Sequence, residues 1–423
     1  MNTHAVRLYG KNDLRLEAAE LPPIREDEIL ADVVSNSICM SCHKAAEQGS
    51  DHKRVPKDIA TRPVIIGHEF CGTLLEVGAG WRHKFQAGQR YSIQPAMNVP
   101  GRELEAPGYS FRHIGGNATR IIIPREVMEM DCLLPYHGEA FFGASLAEPV
   151  SCIIGAFHSQ YHYKSGTYEH QMGPQPGGTM AIMAGAGPMG LGAVDYALNG
   201  PVQPSLLVVT DIDQARLDRA ASIFTPAHAR TRGVELRYLD TRQGDPVALM
   251  KAANPRGGYD DVFVFAPVAP LIEQASKIMG FNGCLNFFAG PSRKEFSASI
   301  NFYDVHYMGH HVVGSSGGNT ADMREALELM SQDRLNPAVM ITHVGGLDSA
   351  AQTILDLPKI PGGKKLVYTQ VRMPMTAIDD FAALGGADPF FAGLAREVAA
   401  HNGLWSVAAE RYLLQHAPQF EKG

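Results

Sequence analysis

Four side chains in the amino-terminal region carry the means to hold a metal ion. They are Cys39 in Ser37-Ile38-Cys39-Met40-Ser41, His68 and Glu69 in Ile66-Gly67-His68-Glu69, and Glu148 in Leu146-Ala147-Glu148-Pro149. Thiolate, imidazole and carboxylate are the S, N and O donors of a catalytic zinc, which takes about three protein ligands and leaves a position for water or substrate. One thiolate and one carboxylate neutralise Zn²⁺ while the imidazole stays neutral. Taken singly, each motif suits a small core thiol or a surface turn equally well. Their weight comes from occurring together with a second, independent chemical signal.

That signal is Thr179-Met-Ala-Ile-Met-Ala-Gly185-Ala-Gly187-Pro188-Met189-Gly190, an apolar strand running into G-x-G-x-x-G, with Leu191 to Leu198 able to begin a helix. Such a turn needs glycine first for tightness, second for close approach to a pyrophosphate, and third for packing the helix on the strand. The helix amino terminus then faces the phosphates. With 43 glycines in the chain, the motif alone is weak. A second apolar strand, Leu206 to Val209, ends at Thr210-Asp211, 26 residues beyond Gly185, where an acid can accept hydrogen bonds from the adenosine ribose. Asp211 opposes a 2′-phosphate and favours NAD, while the nearby Arg216 weakens that preference and leaves NADP open.

These groups need elements to position them. Residues 1 to 130 hold short apolar or β-branched stretches, Ile29 to Val34, Pro63 to Ile66, Thr73 to Val77 and Arg120 to Pro124, punctuated by Pro and Gly. That texture predicts a β-rich domain with long loops. From about 155 to 315, strands at Met180 to Ala184, Leu206 to Val209, Val262 to Phe265 and Cys284 to Ala289 alternate with helical patterns, which predicts a doubly wound α/β domain. An amphipathic helix at Thr320 to Gln332 and a strand at Lys365 to Gln370 follow. A tail with helical patterns at Phe391 to Ala400 and Val407 to Leu414 ends the chain, with no role that its residues declare.

A chain of 423 residues has room for two or three domains, and 45% hydrophobic against 19% charged residues excludes general disorder. A net charge of −7 disfavours nucleic acid and anionic membrane surfaces as partners. Six cysteines are too few for a disulfide framework in so long a chain, and no secretory signal is visible, so a cytoplasmic location is expected.

The chain resembles the zinc-dependent medium-chain dehydrogenases, the superfamily of alcohol and polyol dehydrogenases. The resemblance rests on Cys39-x-Ser41, Gly67-His68-Glu69, Gly115-Gly116-x-Ala118, Glu148-Pro149, Gly185-Ala-Gly187-Pro-Met-Gly190 and Asp211, in the family's order across residues 1 to 370. Within it the chain is most similar to the L-sorbose-1-phosphate reductases, through Leu8-Tyr-Gly-Lys11, His52-Lys53, Thr61 to Gly72, Pro107-Gly-Tyr-Ser-Phe111, Asn286 to Pro291 and Asn301 to Tyr307, nearly end to end.

The resemblance implies a GroES-like catalytic domain from residues 1–155 and 316–423, with a Rossmann domain at 156–315. It implies one catalytic zinc held by Cys39, His68 and Glu69, and Glu148 as the acid that binds the metal or holds its water. It also implies Ser41 as a proton-relay hydroxyl, NAD or NADP as hydride carrier, and a homodimer or homotetramer. The expected reaction interconverts L-sorbose 1-phosphate and D-glucitol 6-phosphate. Alternatives are a dehydrogenase of an unphosphorylated polyol, a zinc-free NADPH reductase, and a nucleotide-binding sensor without chemistry.

Departures from the family pattern carry their own expectations. No Cys occurs in residues 90 to 125, so the structural zinc of many relatives is expected to be absent. The usual Cys-x-[Ser/Thr]-Asp becomes Cys39-Met40-Ser41-Cys42, and Lys44 stands where many alcohol dehydrogenases end the relay with His. A phosphorylated substrate needs cations, and Lys44, Lys53, Arg54, Arg112, His113 and Arg120 qualify by charge alone. His306, His310 and His311, and the His/Tyr-rich insertion from His158 to His170, carry no assignment.

Overall fold

The structure is a computed structural model, and it describes residues 1–291 and 293–420. The chain forms two compact units, Met1–Glu148 with Ile341–Gly423, and Pro149–Met340. These borders lie outside the 155/156 and 315/316 expected from texture. The helix Ala147–Ser159 accounts for the first difference, because its carboxyl end belongs to the second unit, where Phe157 stacks on Phe263 at 4.4 Å. The helix Thr320–Ser331 accounts for the second. Its Asp322 and Glu325 bind His158 and Tyr196 of the same unit, at 2.7 and 2.6 Å.

In the first unit, Ile29–Ile38 is the central strand of an eight-stranded sheet. Eight of its ten residues are buried and the other two half-buried, so the strand is covered on both sides, as its Ile, Leu and Val content demands. It pairs antiparallel with Glu69–Val77 on one side and Lys364–Tyr368 on the other. The register sets Ser37 opposite Glu69 and Ile38 opposite Lys365. The carboxyl end of one strand and the amino ends of its two neighbours therefore meet at one edge, and Cys39 follows directly as the N-cap of the helix Met40–Gln48.

Two glycines shape the loop beside this edge. Gly67 and Gly108 adopt φ of +108° and +77°, and a Cβ on Gly108 would stand 1.9 Å from the Gly67 carbonyl oxygen. Only glycine permits both the left-handed backbone and this approach. Their closeness brings His68 and Tyr109, the residues that follow them, side by side.

The tail belongs to the first unit. Trp405 is 1% exposed and its indole N–H donates to the Tyr368 hydroxyl at 2.8 Å. Tyr368 in turn donates to Glu410 at 2.7 Å, and Glu410 accepts the backbone N–H groups of Phe141 and Phe142 at 2.7 and 2.8 Å. A buried carboxylate thus satisfies the open amino end of the short helix Phe141–Ser145.

The second unit holds a six-stranded parallel sheet in the order 235–240, 206–211, 179–183, 259–264, 279–287, 311–313. The chain runs outward from Thr179–Met183 first to one side and then to the other, so strand order reverses there, the topology of a doubly wound dinucleotide fold. The expected strands and helices all appear, most shifted by a few residues at their ends. The His/Tyr-rich insertion becomes a small hairpin, Tyr161–Tyr163 with His170–Met172.

Candidate active site

Cys39 Sγ, a His68 ring nitrogen and a Glu69 carboxylate oxygen lie within 4.8 Å of one another. Among the described residues this is the one such gathering of three or more His, Cys, Asp or Glu donors. His68 and Glu69 are buried at 5% and 1% exposure. Glu148 is outside that mutual distance, yet its charge acts on Cys39, His68 and Lys364.

The surroundings of these donors include groups the motifs do not name. Lys364 donates to both oxygens of Glu69, at 2.6 and 2.7 Å, and the Ser37 hydroxyl donates to Glu69 as well. The imidazole of His68 has Cys42 Sγ 3.4 Å from Nδ1, and the hydroxyls of Ser41 and Tyr109 at 3.3 and 3.4 Å from Nε2. Ser41 also donates to Cys39 Sγ at 3.1 Å. Lys44, on the helix Met40–Gln48, is part-buried, and its ammonium makes no hydrogen bond among the described residues.

The electrostatics are those of a site built for a cation. Burial and the charges of Glu69 and Glu148 push the Cys39 thiol up to about 11. Burial works against a charged His68, yet the Cys42 thiol and the carboxylates of Glu148 and Glu69 outweigh it and carry the imidazole up to about 9. Burial also opposes charge on Lys364 and Glu69, and their mutual attraction holds the ammonium above and the carboxyl below its ordinary range. Binding of a divalent ion displaces the protons of the Cys39 thiol and the His68 imidazole, and the thiolate and two carboxylates against one ammonium then leave two negative charges for the ion to cancel. The donor types and this balance fit zinc.

In the second unit, Ala184 (φ +54°) and Gly185 turn the chain out of the strand, and the Gly185 N–H bonds the Thr210 carbonyl at 2.8 Å. Gly187 caps the helix Pro188–Asn199, with Pro188 at its first position and Met189 next. A Cβ on Gly190 would fall 2.2 Å from the Gly185 oxygen, whereas one on Gly187 meets nothing within 4 Å. The third glycine is thus required by packing, and the second borders open space where a pyrophosphate fits. Asp211 accepts from the backbone N–H groups of Ala186, Ile212 and Asp213, at 3.2, 2.8 and 3.1 Å, and so ties the strand end to the glycine turn. Arg216 faces Asp213 at 3.5 Å.

The sequence-based phosphate candidates separate. Arg120 pairs with Asp32 at 3.3 Å, and the charges acting on His113 are those of Arg112, Arg7 and Glu28. Lys44, Lys53 and Arg54 instead all act on His52, which stacks on Tyr109.

Motif reading missed Lys364, Ser37, Tyr109 and Cys42 as neighbours of the donor set. One signal for Lys364 was present in Lys364-Lys365-Leu-Val-Tyr368. Successive strand residues face opposite ways, so two lysines opening a fully buried strand place at least one inside.

Comparison with known proteins agrees with this architecture. Residues 25–129 match the alcohol dehydrogenase GroES-like domain, and residues 188–332 the zinc-binding dehydrogenase domain. The chain is 52% identical over 415 residues to L-sorbose 1-phosphate reductase of Klebsiella pneumoniae, covering 98% of each chain. It is 51% identical over 414 residues to mannitol-1-phosphate 5-dehydrogenase of Aliivibrio fischeri, covering 98% of this chain and 97% of the other. The crystal structure of 2R,3R-butanediol dehydrogenase from Bacillus subtilis shares the fold at a TM-score of 0.69 and 20% identity, over 86% of this chain and 99% of that one. The chain belongs to the zinc-binding, medium-chain family of alcohol and polyol dehydrogenases.

Proposed function

We propose that the protein is a zinc-dependent oxidoreductase that moves hydride between NAD(P)(H) and a sugar phosphate, with L-sorbose 1-phosphate and D-glucitol 6-phosphate as its couple. The reading is carried by the convergence of Cys39, His68 and Glu69 in a chain matched end to end by sugar-phosphate oxidoreductases. One zinc per chain would be held by Cys39, His68 and Glu69, with Glu148 as a further ligand or as the group that holds the metal's water.

When bound, the metal polarises the substrate oxygen and the dinucleotide gives or takes the hydride. The chain's own groups do the rest. Ser41 Oγ, beside both Cys39 and His68, relays the proton: during oxidation it accepts from the substrate hydroxyl as its own hydroxyl proton passes on to solvent, and during reduction the transfer runs in reverse. Lys364 and Ser37 hold Glu69 ionised and fixed in direction. The turn Gly185 to Gly190 and the amino end of its helix receive the pyrophosphate. Asp211 faces the adenosine ribose, and the pairing of Arg216 with Asp213 leaves NAD preferred over NADP.

No helix among the described residues is long and apolar enough to cross a membrane. A cytoplasmic location is the expected one. A homodimer or homotetramer is the expected assembly.

Turnover of sugar phosphates and free polyols with NADH and NADPH, on protein of measured metal content, tests this reading. It expects about one zinc per chain, activity lost on chelation, and faster turnover of L-sorbose 1-phosphate than of L-sorbose. Full activity in metal-free protein would leave a zinc-free reductase. A protein inert to every polyol and ketose would leave the sensor.

A further inference from the structure

Four basic residues that follow Cys39 in the chain share one feature: among the described residues none has a carboxylate partner. Lys44 lies on the helix Met40–Gln48, and His52, Lys53 and Arg54 lie in the loop that follows. Among the described residues no acid pairs with Lys44, Lys53 or Arg54. Asp51, the acid adjoining His52, is engaged by Lys11 at 2.7 Å, and Glu47, three residues after Lys44 on the same helix, forms no ion pair with it. Lys44 and Arg54 are part-buried and Lys53 is exposed. Cations partly withdrawn from water without counter-charge are costly unless an anion joins them.

Tyr109 connects this group to the donor set. Its hydroxyl stands 3.4 Å from His68 Nε2. The His52 ring stacks on it at 5.6 Å and 9° between planes, and the Arg54 guanidinium sits 5.6 Å from the ring centroid. The Arg54 guanidinium and the His52 ring are thus about one aromatic ring away from the metal ligand His68. The two loops are latched together, since Ser110 Oγ donates to the Arg54 carbonyl at 2.7 Å and accepts from the Ala106 N–H at 3.0 Å.

The protonation of His52 completes the picture. Its Nδ1 accepts the Arg54 backbone N–H at 3.3 Å, which leaves Nε2 as a donor on a neutral ring. Burial and the charges of Arg54, Lys53 and Lys44 hold the imidazole below its ordinary value, which also places those three charges close to it. A guanidinium fork, two ammonium groups and a neutral N–H donor suit the several oxygens and double charge of a phosphate monoester.

We propose that Lys44, His52, Lys53 and Arg54 form the subsite that binds the phosphate of a sugar-phosphate substrate whose reacting oxygen is held at Cys39, His68 and Glu69. This rests on the sugar-phosphate reading above and assigns residues to it. It gives Lys44 a role in anchoring the substrate rather than at the end of a proton relay.

The test measures kcat/KM for L-sorbose 1-phosphate and for L-sorbose, and inhibition by inorganic phosphate, in wild type, Arg54→Ala, Arg54→Lys and Lys53→Ala. Lys53 is exposed, so its replacement does not endanger folding. The preference for the phosphorylated sugar is expected to fall roughly 10- to 100-fold in Arg54→Ala. Inhibition by phosphate should weaken in parallel, with a smaller loss in Lys53→Ala, part recovery in Arg54→Lys, and zinc content unchanged. An unaltered preference in both alanine variants, or an equal fall for both sugars, overturns the subsite and leaves the sugar-phosphate reading standing. A wild type that does not distinguish the two sugars overturns that reading instead. The subsite is then decided by whether inorganic phosphate binds wild type and is lost from Arg54→Ala.

Discussion

Lys364 and Glu69 form an ion pair that is closed to water on both sides: both carboxylate oxygens accept from one ammonium, and the side chains are 8% and 1% exposed. Removing one member of such a pair leaves an uncompensated buried charge, at a cost of ~3 to 5 kcal/mol. Lys364→Met should therefore lower the stability of metal-free protein by about that much. A divalent ion beside Glu69 supplies replacement charge, so the loss should shrink when zinc is present. Thermal melts of Lys364→Met and wild type, with zinc and with chelator, check this. Equal losses under both conditions would separate Lys364 from the metal donors.

Gly190 tests the second unit on its own. The Cβ of an alanine there would meet the Gly185 oxygen at 2.2 Å, a contact relieved only if the turn opens. The opened turn no longer directs its N–H groups at a pyrophosphate, so Gly190→Ala should weaken NADH binding by roughly 10-fold or more. Zinc content should stay at its wild-type value, because the donors belong to the other unit. NADH fluorescence titration beside metal analysis reads both.

How far the site could be read in advance depended on how local each signal was. The strand, glycine turn and helix at 179–199 were legible because apolar run, glycine spacing and helix are contiguous. Cys39, His68 and Glu69 stood out only through their order in a family pattern, since nothing in the residues between them says that strand pairing sets Ser37 opposite Glu69. Lys364 lies 295 positions from Glu69, and its role follows from an antiparallel register that no local pattern encodes. The tail was opaque for the same reason, as Glu410 acts on backbone N–H groups 268 and 269 positions away.

His158 gives a pH dependence. Hydrogen bonding to Asp322 at 2.7 Å, with Glu325 at 3.3 Å, raises its pKa above the ordinary 6.5 against the opposing effect of burial. A histidine whose folded value is raised binds its proton more tightly when folded. Its stabilisation is complete below about 6.5 and is lost as pH rises through the higher folded value. The side chain is 47% exposed, so the contribution should be below about 1 kcal/mol. Urea midpoints from pH 5.5 to 8.5 should fall less steeply in His158→Gln than in wild type. Parallel profiles would remove the pair from the pH response.

Glu410 should be among the most costly single losses outside the metal site. It is 2% exposed and accepts from the Tyr368 hydroxyl and the N–H groups of Phe141 and Phe142. Alanine would strand these donors, each at ~1 to 3 kcal/mol when buried without water, and would open a cavity beside Trp405 and Tyr368. Glu410→Ala should therefore destabilise the first unit by about 3 to 5 kcal/mol. Glu410→Gln should lie between, because its amide keeps one acceptor oxygen but turns an N–H₂ toward the remaining donors. Because the strand Lys364–Tyr368 bears both Tyr368 and Lys364, loosening the tail should also loosen the Glu69 contact. Denaturation midpoints paired with zinc affinity in a chelator competition measure both effects, and a midpoint matching wild type would show that the tail is not anchored through Glu410.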